Sequence, residues 1–171
     1  LGKPASVVAA SESIDLANKA QEAFNCPSLR VYTSTDRSGA ELAAALKNVI
    51  ALAAGISDGL ELGDNAKAAL LTRGMVEMAR YGKAHGADSS TFFGLAGFGD
   101  LVTTACSQHS RNRAVGERIG RGETLEQVLD SMKMVAEGVH NSKSVCELAA
   151  KSGTEMPITE QVRKMLHEDK P

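Results

Sequence analysis

The spacing of hydrophobic residues changes near residue 36 of this chain. Before that point, residues 6–10 and 29–33 are short apolar runs with strand character, and residues 13–24 place apolar side chains on one face of a helix. Strand, helix and strand in this order predict the end of an α/β unit. We therefore treat residues 1–36 and 37–171 as two parts.

Beyond this boundary the periodicity is helical to the end of the chain. Apolar residues recur three and four positions apart, and Gly86 and Gly153 stand where the glycine that ends a helix is usually found. The sequence therefore predicts a mainly α fold. The predicted helices cover residues 38–57, 65–85, 89–95, 100–106, 111–120, 124–132, 139–152 and 159–167. Their expected N-caps include Asp64 or Asn65, Thr124 in a capping box with Gln127, and Thr159.

The composition agrees with helix packing and excludes several classes of function. Aromatic residues make up only 4% and Trp is absent, so aliphatic residues, Ala and Met must form the core. A net charge of −2 gives no bulk attraction for nucleic acid or an anionic membrane. The longest apolar stretch, residues 42–57, is interrupted by Lys47 and falls short of the ~20 residues that span a bilayer. We expect neither nucleic-acid binding nor membrane insertion.

The three cysteines, Cys26, Cys106 and Cys146, are far apart and form no CxxC pair. This pattern predicts neither a zinc site nor a disulfide framework, and it fits the reducing cytoplasm. The four histidines are isolated as well, so we expect no metal site.

A single charge interrupts the most apolar of the predicted helices. Lys47 is the only charged residue between Glu41 and Asp58, and the helix around it is apolar on nearly all sides. A lysine that loses hydration in such a setting exchanges a proton near neutral pH, as a general acid or base must. A lysine that extends its head to the surface would give the same sequence. The helix alone leaves both interpretations open.

A glycine-rich segment precedes the next candidate, Asp100. Gly94, Gly97 and Gly99 permit tight turns and close backbone approach. Their spacing is not that of a dinucleotide-binding fingerprint, and no predicted strand precedes them. Asp100 stands at the expected start of a helix, where a carboxylate caps free N–H groups, and taken alone it is best interpreted as such a cap.

Four arginines fall within an eleven-residue stretch of a chain that is acidic overall. Arg111 lies between Ser110 and Asn112, and these three side chains offer donors of different shape to a phosphate. A run of arginines is also typical of a solvated helix face, and Arg118 and Arg121 fit that interpretation.

Six motifs follow one another along almost the whole chain. They are Glu41-Leu42 with Ala45-Leu46-Lys47-Asn48-Val49, Gly63-Asp64-Asn65-Ala66-Lys67, Gly97-Phe98-Gly99-Asp100-Leu101, Ser110-Arg111-Asn112-Arg113, Val135-Ala136-Glu137-Gly138, and Met156-Pro157-Ile158-Thr159-Glu160. One such motif alone is weak evidence, but together and in this order they resemble bacterial NAD(P)-dependent glycerol-3-phosphate dehydrogenase. The resemblance implies a helical C-terminal domain of the 6-phosphogluconate-dehydrogenase-like type, preceded by a short β-α-β remnant of a Rossmann domain.

The resemblance also implies roles for individual residues. Lys47 would be the proton donor and acceptor. The positions that match substrate-binding residues are Lys47, Asp100, Ser110, Arg111 and Asn112, with Asn48 and Thr104 as second-line contacts. The positions that match cofactor-binding residues are Arg111, Val135 and Glu137.

The implied activity is an oxidoreduction. Dihydroxyacetone phosphate and sn-glycerol 3-phosphate would be interconverted by hydride transfer with NAD or NADP, which feeds phospholipid synthesis in the cytoplasm. Residues 1–36 would then end the dinucleotide-binding domain, and residues 37–171 would form the helical substrate-binding domain. The family's glycine-rich fingerprint would precede residue 1, so we expect the 171-residue chain alone to be inactive. Residues 36–39 depart from the more apolar version usual in the family, which we do not expect to affect the chemistry.

An alternative is a non-catalytic helical module, used for binding or dimerisation, that retains the motifs by descent. An upstream reading frame with a glycine-rich turn after a strand would favour the enzyme. A homodimer would suit the long apolar helices.

Overall fold

The computed structural model describes residues 2–132 and 134–168. It opens with strand β1 (Ala5–Ala10), helix α1 (Ile14–Phe24) and strand β2 (Leu29–Ser34). The two strands pair in parallel, and α1 forms the crossover that a parallel pair requires. The predicted β-α-β start is therefore confirmed.

Helices account for most of the described chain after residue 36, so the mainly α prediction is confirmed. Most of their ends lie within a few residues of the predicted ones. Between α4 and α5 the chain forms one turn of π-helix, which we call the π-turn. In order the elements are α2 (Arg37–Gly59), α3 (Gly63–Ala84), α4 (Ser89–Phe93), the π-turn (Leu95–Gly99), α5 (Asp100–Cys106), α6 (Arg111–Gly120), α7 (Leu125–Asp130), α8 (Glu137–Ser152) and α9 (Pro157–His167).

Helix α2 lies at the centre of the helical part, and 13 of its 23 residues are buried. Leu46 and Ile50 belong to a core shared with α3, α4 and α5. Val49 and Leu52 belong to a second core shared with α6, α7, α8 and α9. By length and hydropathy α2 would suffice to cross a membrane, but 67% of its apolar window is buried inside the molecule. Its apolar sequence is thus used in packing against other helices.

Helices α2 and α6 approach each other with almost no side chains between them. A Cβ atom on Gly116 would lie 2.0 Å from the carbonyl oxygen of Leu52, and one on Gly55 would lie 2.0 Å from that of Arg113. Any larger residue would push the helices apart, since Cβ atoms do not approach other atoms so closely. The glycines thus fix the axial position of α6 and bring its N-terminal end beside Asn48.

Three of the predicted helix ends are confirmed. Thr124 and Gln127 form the predicted capping box at the start of α7. Gly86 and Gly153 have φ angles of 81° and 64°, as expected of glycines that follow helices.

Two of the predicted N-caps are wrong. Helix α3 begins at Gly63, so Asp64 and its neighbour lie inside the first turn. Helix α9 begins at Pro157, so Thr159 lies inside its first turn as well. The hydroxyl of Thr159 donates to Glu77 Oε1 at 2.6 Å instead. Glu77 belongs to α3 and is only 2% exposed, so a buried carboxylate anchors the start of α9.

The predicted helix over residues 89–95 is wrong at its end. Helix α4 stops at Phe93, and the π-turn then leads directly into α5 at Asp100. Gly97 is buried in this turn, where a Cβ atom would lie 2.1 Å from the carbonyl oxygen of Phe92. Single π-turns of this kind are frequent at functional sites.

Candidate functional site

An ion pair joins the middle of α2 to the start of α5. The ammonium group of Lys47 donates to Oδ2 of Asp100, which lies 53 residues later in the chain. The Lys47 side chain is 18% exposed and the Asp100 side chain 40% exposed. Lys47 therefore does not extend freely to the surface. Asp100 is the first residue of α5, whose N-cap is Gly99, so the interpretation of Asp100 as a cap is wrong.

Thr104 supports this pair from α5. Its hydroxyl donates to the main-chain oxygen of Asp100 at 2.7 Å and lies 3.5 Å from Oδ1 of the same residue. The Asp100 carboxylate is therefore contacted by Lys47 from one helix and by Thr104 from its own.

A cavity of about 640 Å³ opens beside the ion pair. Strand β1 and the residue before it form one wall, and the π-turn and the start of α5 form another. Asp100 is part of the lining, so the ion pair reaches the cavity surface. The lining residues are Pro4, Ala5, Ser6, Val7, Val8, Ala40, Ala44, Leu95, Ala96, Gly99, Asp100 and Thr103.

Two asparagines connect α2 to α6 immediately beside Lys47. The side-chain amide of Asn112 donates to Oδ1 of Asn48 at 3.0 Å, and both residues are buried. Asn112 also accepts a hydrogen bond from the main-chain nitrogen of Gly138 at 2.9 Å. Because Asn48 follows Lys47 and Asn112 follows Arg111, this pair fixes the position of the lysine relative to the arginine.

Ser110 and Arg111 form the N-terminal end of α6. Ser110 is the N-cap, and its hydroxyl accepts a hydrogen bond from the main-chain nitrogen of Arg113 at 3.2 Å. Arg111 is exposed, and its guanidinium group donates to the carbonyl oxygen of Val135 at 3.0 Å. Arginine and helix N–H groups thus lie together at a surface where an anion can approach.

The other three arginines of this stretch are paired with carboxylates. Arg113 donates to Asp58 at 2.7 Å. Arg118 binds Glu123, and Arg121 binds Glu117. Within residues 2–132 and 134–168, no acidic side chain pairs with Arg111. The four arginines are therefore not equivalent, and Arg111 is the one of the four that no carboxylate of the described residues holds.

Val135 and Glu137 lie next to these residues. Val135 is 60% exposed, and its carbonyl oxygen accepts from Arg111. Glu137 is the exposed first residue of α8, and its carboxylate accepts a hydrogen bond from the Asn48 amide at 3.3 Å. Hydrogen bonds or adjacency in the chain thus connect all nine predicted site residues, which come from α2, α5, α6 and the start of α8.

Sequence reasoning missed one side chain of this framework. Asn141 of α8 donates to the carbonyl oxygen of Ala45 at 3.0 Å, two residues before Lys47. Nothing in the local pattern distinguishes this asparagine from a solvated one, because its partner lies 96 residues away. In the described part of the chain, no group of three or more His, Cys, Asp or Glu side chains is placed to hold a metal ion.

Comparison with known proteins identifies relatives of this chain. The family model described as NAD-dependent glycerol-3-phosphate dehydrogenase C-terminus matches residues 36–171. The chain is 56% identical to glycerol-3-phosphate dehydrogenase [NAD(P)+] of Chlorobium limicola over 169 residues, which cover 99% of this chain and 51% of the relative. The corresponding protein of Geobacter sulfurreducens is also 56% identical, over 100% of this chain and 51% of the relative.

A solved structure shows the same fold. Glycerol-3-phosphate dehydrogenase from Coxiella burnetii superposes with a TM-score of 0.95 and 41% identity, covering 99% of this chain and 52% of that one. This chain thus spans about half the length of the relatives that it matches. The family model covers well over half of its residues. The chain therefore belongs to the NAD-dependent glycerol-3-phosphate dehydrogenase family and corresponds to its C-terminal part.

Proposed function

We propose that this chain is the substrate-binding part of an NAD(P)-dependent dehydrogenase that interconverts dihydroxyacetone phosphate and sn-glycerol 3-phosphate. The observation that carries the proposal is the pairing of Lys47 with Asp100, which lines a cavity, while Asn48 and Asn112 connect Lys47 to Arg111. A phosphorylated ketone needs a proton donor at its carbonyl group and a cation at its phosphate. These two groups are supplied at two fixed positions of one framework.

Lys47 acts at the carbonyl group. During reduction, negative charge grows on the carbonyl oxygen, and the Lys47 ammonium stabilises this charge and donates the proton. Asp100 holds the ammonium group at the cavity wall through their ion pair, and Thr104 supports Asp100. In the opposite direction the Lys47 amine accepts the hydroxyl proton. The nicotinamide cofactor supplies or accepts the hydride when it is bound.

Ser110, Arg111 and Asn112 bind the phosphate. Arg111 offers a planar guanidinium group, and the first main-chain N–H groups of the ten-residue helix α6 face the same region. The phosphate does not react, so its binding energy serves to place the carbonyl group against Lys47.

Arg111, Val135 and Glu137 contact the cofactor, which is NAD or NADP. Their chemistry fits such a group. Val135 offers exposed apolar surface for a ring, Glu137 an exposed carboxylate and Arg111 an exposed cation. Asn48 contacts Glu137 and stands next to Lys47, so cofactor contacts and proton transfer share one hydrogen-bonded framework.

The proposal extends to the two parts of the chain. Residues 1–36 form the end of a dinucleotide-binding domain, in which parallel β-α-β units repeat, and residues 37–171 form the helical substrate-binding domain. Most of the cofactor-binding surface then lies outside these residues, and the 171-residue chain alone does not turn over substrate. A cytoplasmic location fits its three unpaired cysteines.

The experiment that tests this function is Lys47→Ala in a full-length enzyme that contains this chain. Dihydroxyacetone phosphate-dependent oxidation of NAD(P)H should fall by roughly 10²–10⁴-fold in kcat, because a general acid contributes about that much. Cofactor affinity, measured by NAD(P)H fluorescence, should change little. The matched control is Lys83→Ala, an exposed lysine in the last turn of α3. A loss below tenfold at Lys47 would contradict the proposal.

The phosphate contact has its own test. Arg111→Ala should raise KM for dihydroxyacetone phosphate about tenfold to a hundredfold, since a hydrogen bond to a charged group contributes roughly 1.5–3 kcal/mol. Arg111→Lys should restore part of the affinity, because it keeps the charge but not the planar fork. Arg118→Ala and Arg121→Ala should leave KM unchanged, since both arginines are paired with glutamates. Equal defects at all three positions would indicate a diffuse basic patch.

A further inference from the structure

Asp36 lies in the two-residue connection between β2 and α2, and its carboxylate accepts three hydrogen bonds. Oδ1 accepts from the main-chain nitrogen of Gly39 at 2.9 Å, which caps α2. Oδ2 accepts from the hydroxyl of Thr91 at 2.6 Å and from the main-chain nitrogen of Asp88 at 3.0 Å. Asp88 and Thr91 lie at the start of α4, more than 50 residues later in the chain.

The two segments that Asp36 joins carry the two members of the ion pair. Helix α2 starts beside Asp36 and carries Lys47 three turns further on, a distance of about 16 Å along the helix axis. The segment that starts at Asp88 continues through α4 and the π-turn to Asp100. Asp36 therefore ties together the two starting points from which Lys47 and Asp100 are placed.

The same residue also fixes the opposite wall of the cavity. The main-chain nitrogen of Asp36 donates to the hydroxyl of Ser34 at 3.1 Å, at the end of β2. Strand β1 pairs with β2 along its whole length, so the position of the β1 wall follows from that of β2. Both walls of the cavity beside Asp100 are thus connected to one residue, one wall through the main-chain nitrogen of Asp36 and the other through its carboxylate.

The contact is tight and charged. A Cβ atom on Gly39 would lie 2.0 Å from Asp36 Oδ2, so residue 39 must be glycine while the carboxylate holds this position. Burial raises the pKa of Asp36, but hydrogen bonds from Thr91, Gly39 and Asp88 outweigh it and hold the pKa below its ordinary value. The group is therefore ionised at neutral pH, and hydrogen bonds to an ionised acceptor are the stronger kind.

Resting on the function proposed above, we propose that Asp36 is a positioning residue for the Lys47–Asp100 pair. It acts through α2 and α4 rather than on the substrate, and it sets the distance across the cavity between β1 and the start of α5. The proposal thus replaces the expectation that residues 36–39 do not affect the chemistry. Its role in turnover is to keep the ammonium group and its carboxylate partner in the geometry that proton transfer requires, where a displacement of about 1 Å is already costly.

The test is Asp36→Asn in the full-length enzyme, with Thr91→Val as a second variant. Asparagine keeps the acceptor for Gly39, so the cap remains, but its N–H group cannot accept from the Asp88 nitrogen, so that hydrogen bond is lost. The Thr91 contact can persist only as a neutral bond in which the hydroxyl accepts, and Thr91→Val removes that contact as well. We expect kcat for dihydroxyacetone phosphate to fall about tenfold and the NAD(P)H dissociation constant to stay within about twofold. Thr124→Val, which weakens the remote cap of α7, should leave kcat unchanged.

A coupling measurement separates positioning from a merely structural role. In an Asp100→Asn background, Asp36→Asn should cause no further loss of kcat, because the pair that Asp36 positions is already broken. An equal loss in both backgrounds, or an unchanged kcat in folded Asp36→Asn enzyme, would overturn the inference. A wild-type enzyme that does not reduce dihydroxyacetone phosphate would instead refute the proposed function.

Discussion

The two sides of Asp36 differ in how much of their apolar surface they bury. In β1, α1 and β2, the buried apolar residues are Ala17 and Val31, whereas Leu16, Phe24 and Tyr32 are 58%, 66% and 47% exposed. Helix α2 alone buries nine apolar residues. The helical part thus builds cores from its own helices. The strand unit leaves open faces of the kind that parallel sheets normally cover with other structure.

The largest expected effect lies in the helical part. Gly116→Val places side-chain atoms where the carbonyl oxygen of Leu52 lies, so α2 and α6 must separate and both cores lose contacts. We expect a loss of about 3 kcal/mol or more in the free energy of unfolding, the upper range for overpacking. Urea denaturation followed by circular dichroism measures it. A loss under about 1 kcal/mol would show that the helix contact yields easily.

The second effect concerns the anchor of α9. Glu77 accepts hydrogen bonds from the Ile158 and Thr159 main-chain nitrogens, both at 2.8 Å, and from the Thr159 hydroxyl. Glu77→Gln removes the charge and one acceptor, and should cost about 2 kcal/mol. Glu147→Gln, at an exposed position of α8, is the matched control and should cost almost nothing. Equal costs would mean that the buried carboxylate is not a special anchor.

A smaller loss of stability is expected on acidification, and it arises from two titrating residues of α9, Glu160 and His167. Hydrogen bonds from Arg163 lower the pKa of Glu160 to about 2, so its contribution is complete above the unfolded value and is lost as the pH falls towards 2. Burial lowers the pKa of His167, so below about pH 6.5 the unfolded chain takes up a proton first, which favours unfolding. Urea midpoints should therefore decrease from pH 7 to pH 3.5.

Protonation of Glu160 should lower the free energy of unfolding by about 1 kcal/mol or less, because the side chain is 36% exposed and solvent screens the Glu160–Arg163 pair. Glu160→Gln should flatten the decrease at its acid end only. A midpoint that stays constant between pH 7 and pH 3.5 would contradict the assignment.

The smallest effect is expected in the strand unit. Val7→Ala shortens the side chain of a residue that is already 44% exposed, so it should change the free energy of unfolding of the 171-residue chain by under about 0.5 kcal/mol.

Hydrogen exchange compares the local stability of the two parts directly. The β1 and β2 amides should exchange faster than those of α2, because local opening of the strand unit exposes little new apolar surface. Equal protection would show that the two parts unfold as one unit.

The features that the sequence predicted correctly depend on contacts between residues that are close together in the chain. Helix positions and the Thr124 capping box were accessible because helical periodicity and caps involve residues three or four apart. Thr159 was misassigned because its partner, Glu77, lies 82 residues away. The π-turn was missed because Gly94, Gly97 and Gly99 have no side-chain periodicity to indicate a helix of any kind.

The candidate site shows the same limit. Local pattern singled out Lys47 and Asp100 separately, but only the fold shows that they form an ion pair across 53 residues. The fold also separates Arg111 from three arginines that the sequence presents in the same cluster, because their partners differ. The family resemblance indicated the site residues, and their individual roles stay predictions.

The backbone contact between α2 and α6 has a consequence for how this site can change over generations. Main-chain atoms have no rotamers. A contact between them therefore keeps one geometry on warming, whereas a contact between long side chains is distributed over several conformations. The main-chain contact also has no conservative replacement, since every other amino acid carries a Cβ atom, and a Cβ atom at Gly55 or Gly116 would overlap the main chain of the facing helix. The distance between α2 and α6 is therefore fixed accurately, but it cannot be changed in small steps by substitution at the two glycines. Small changes in the position of α6 beside Lys47 must come from substitutions at the residues around them.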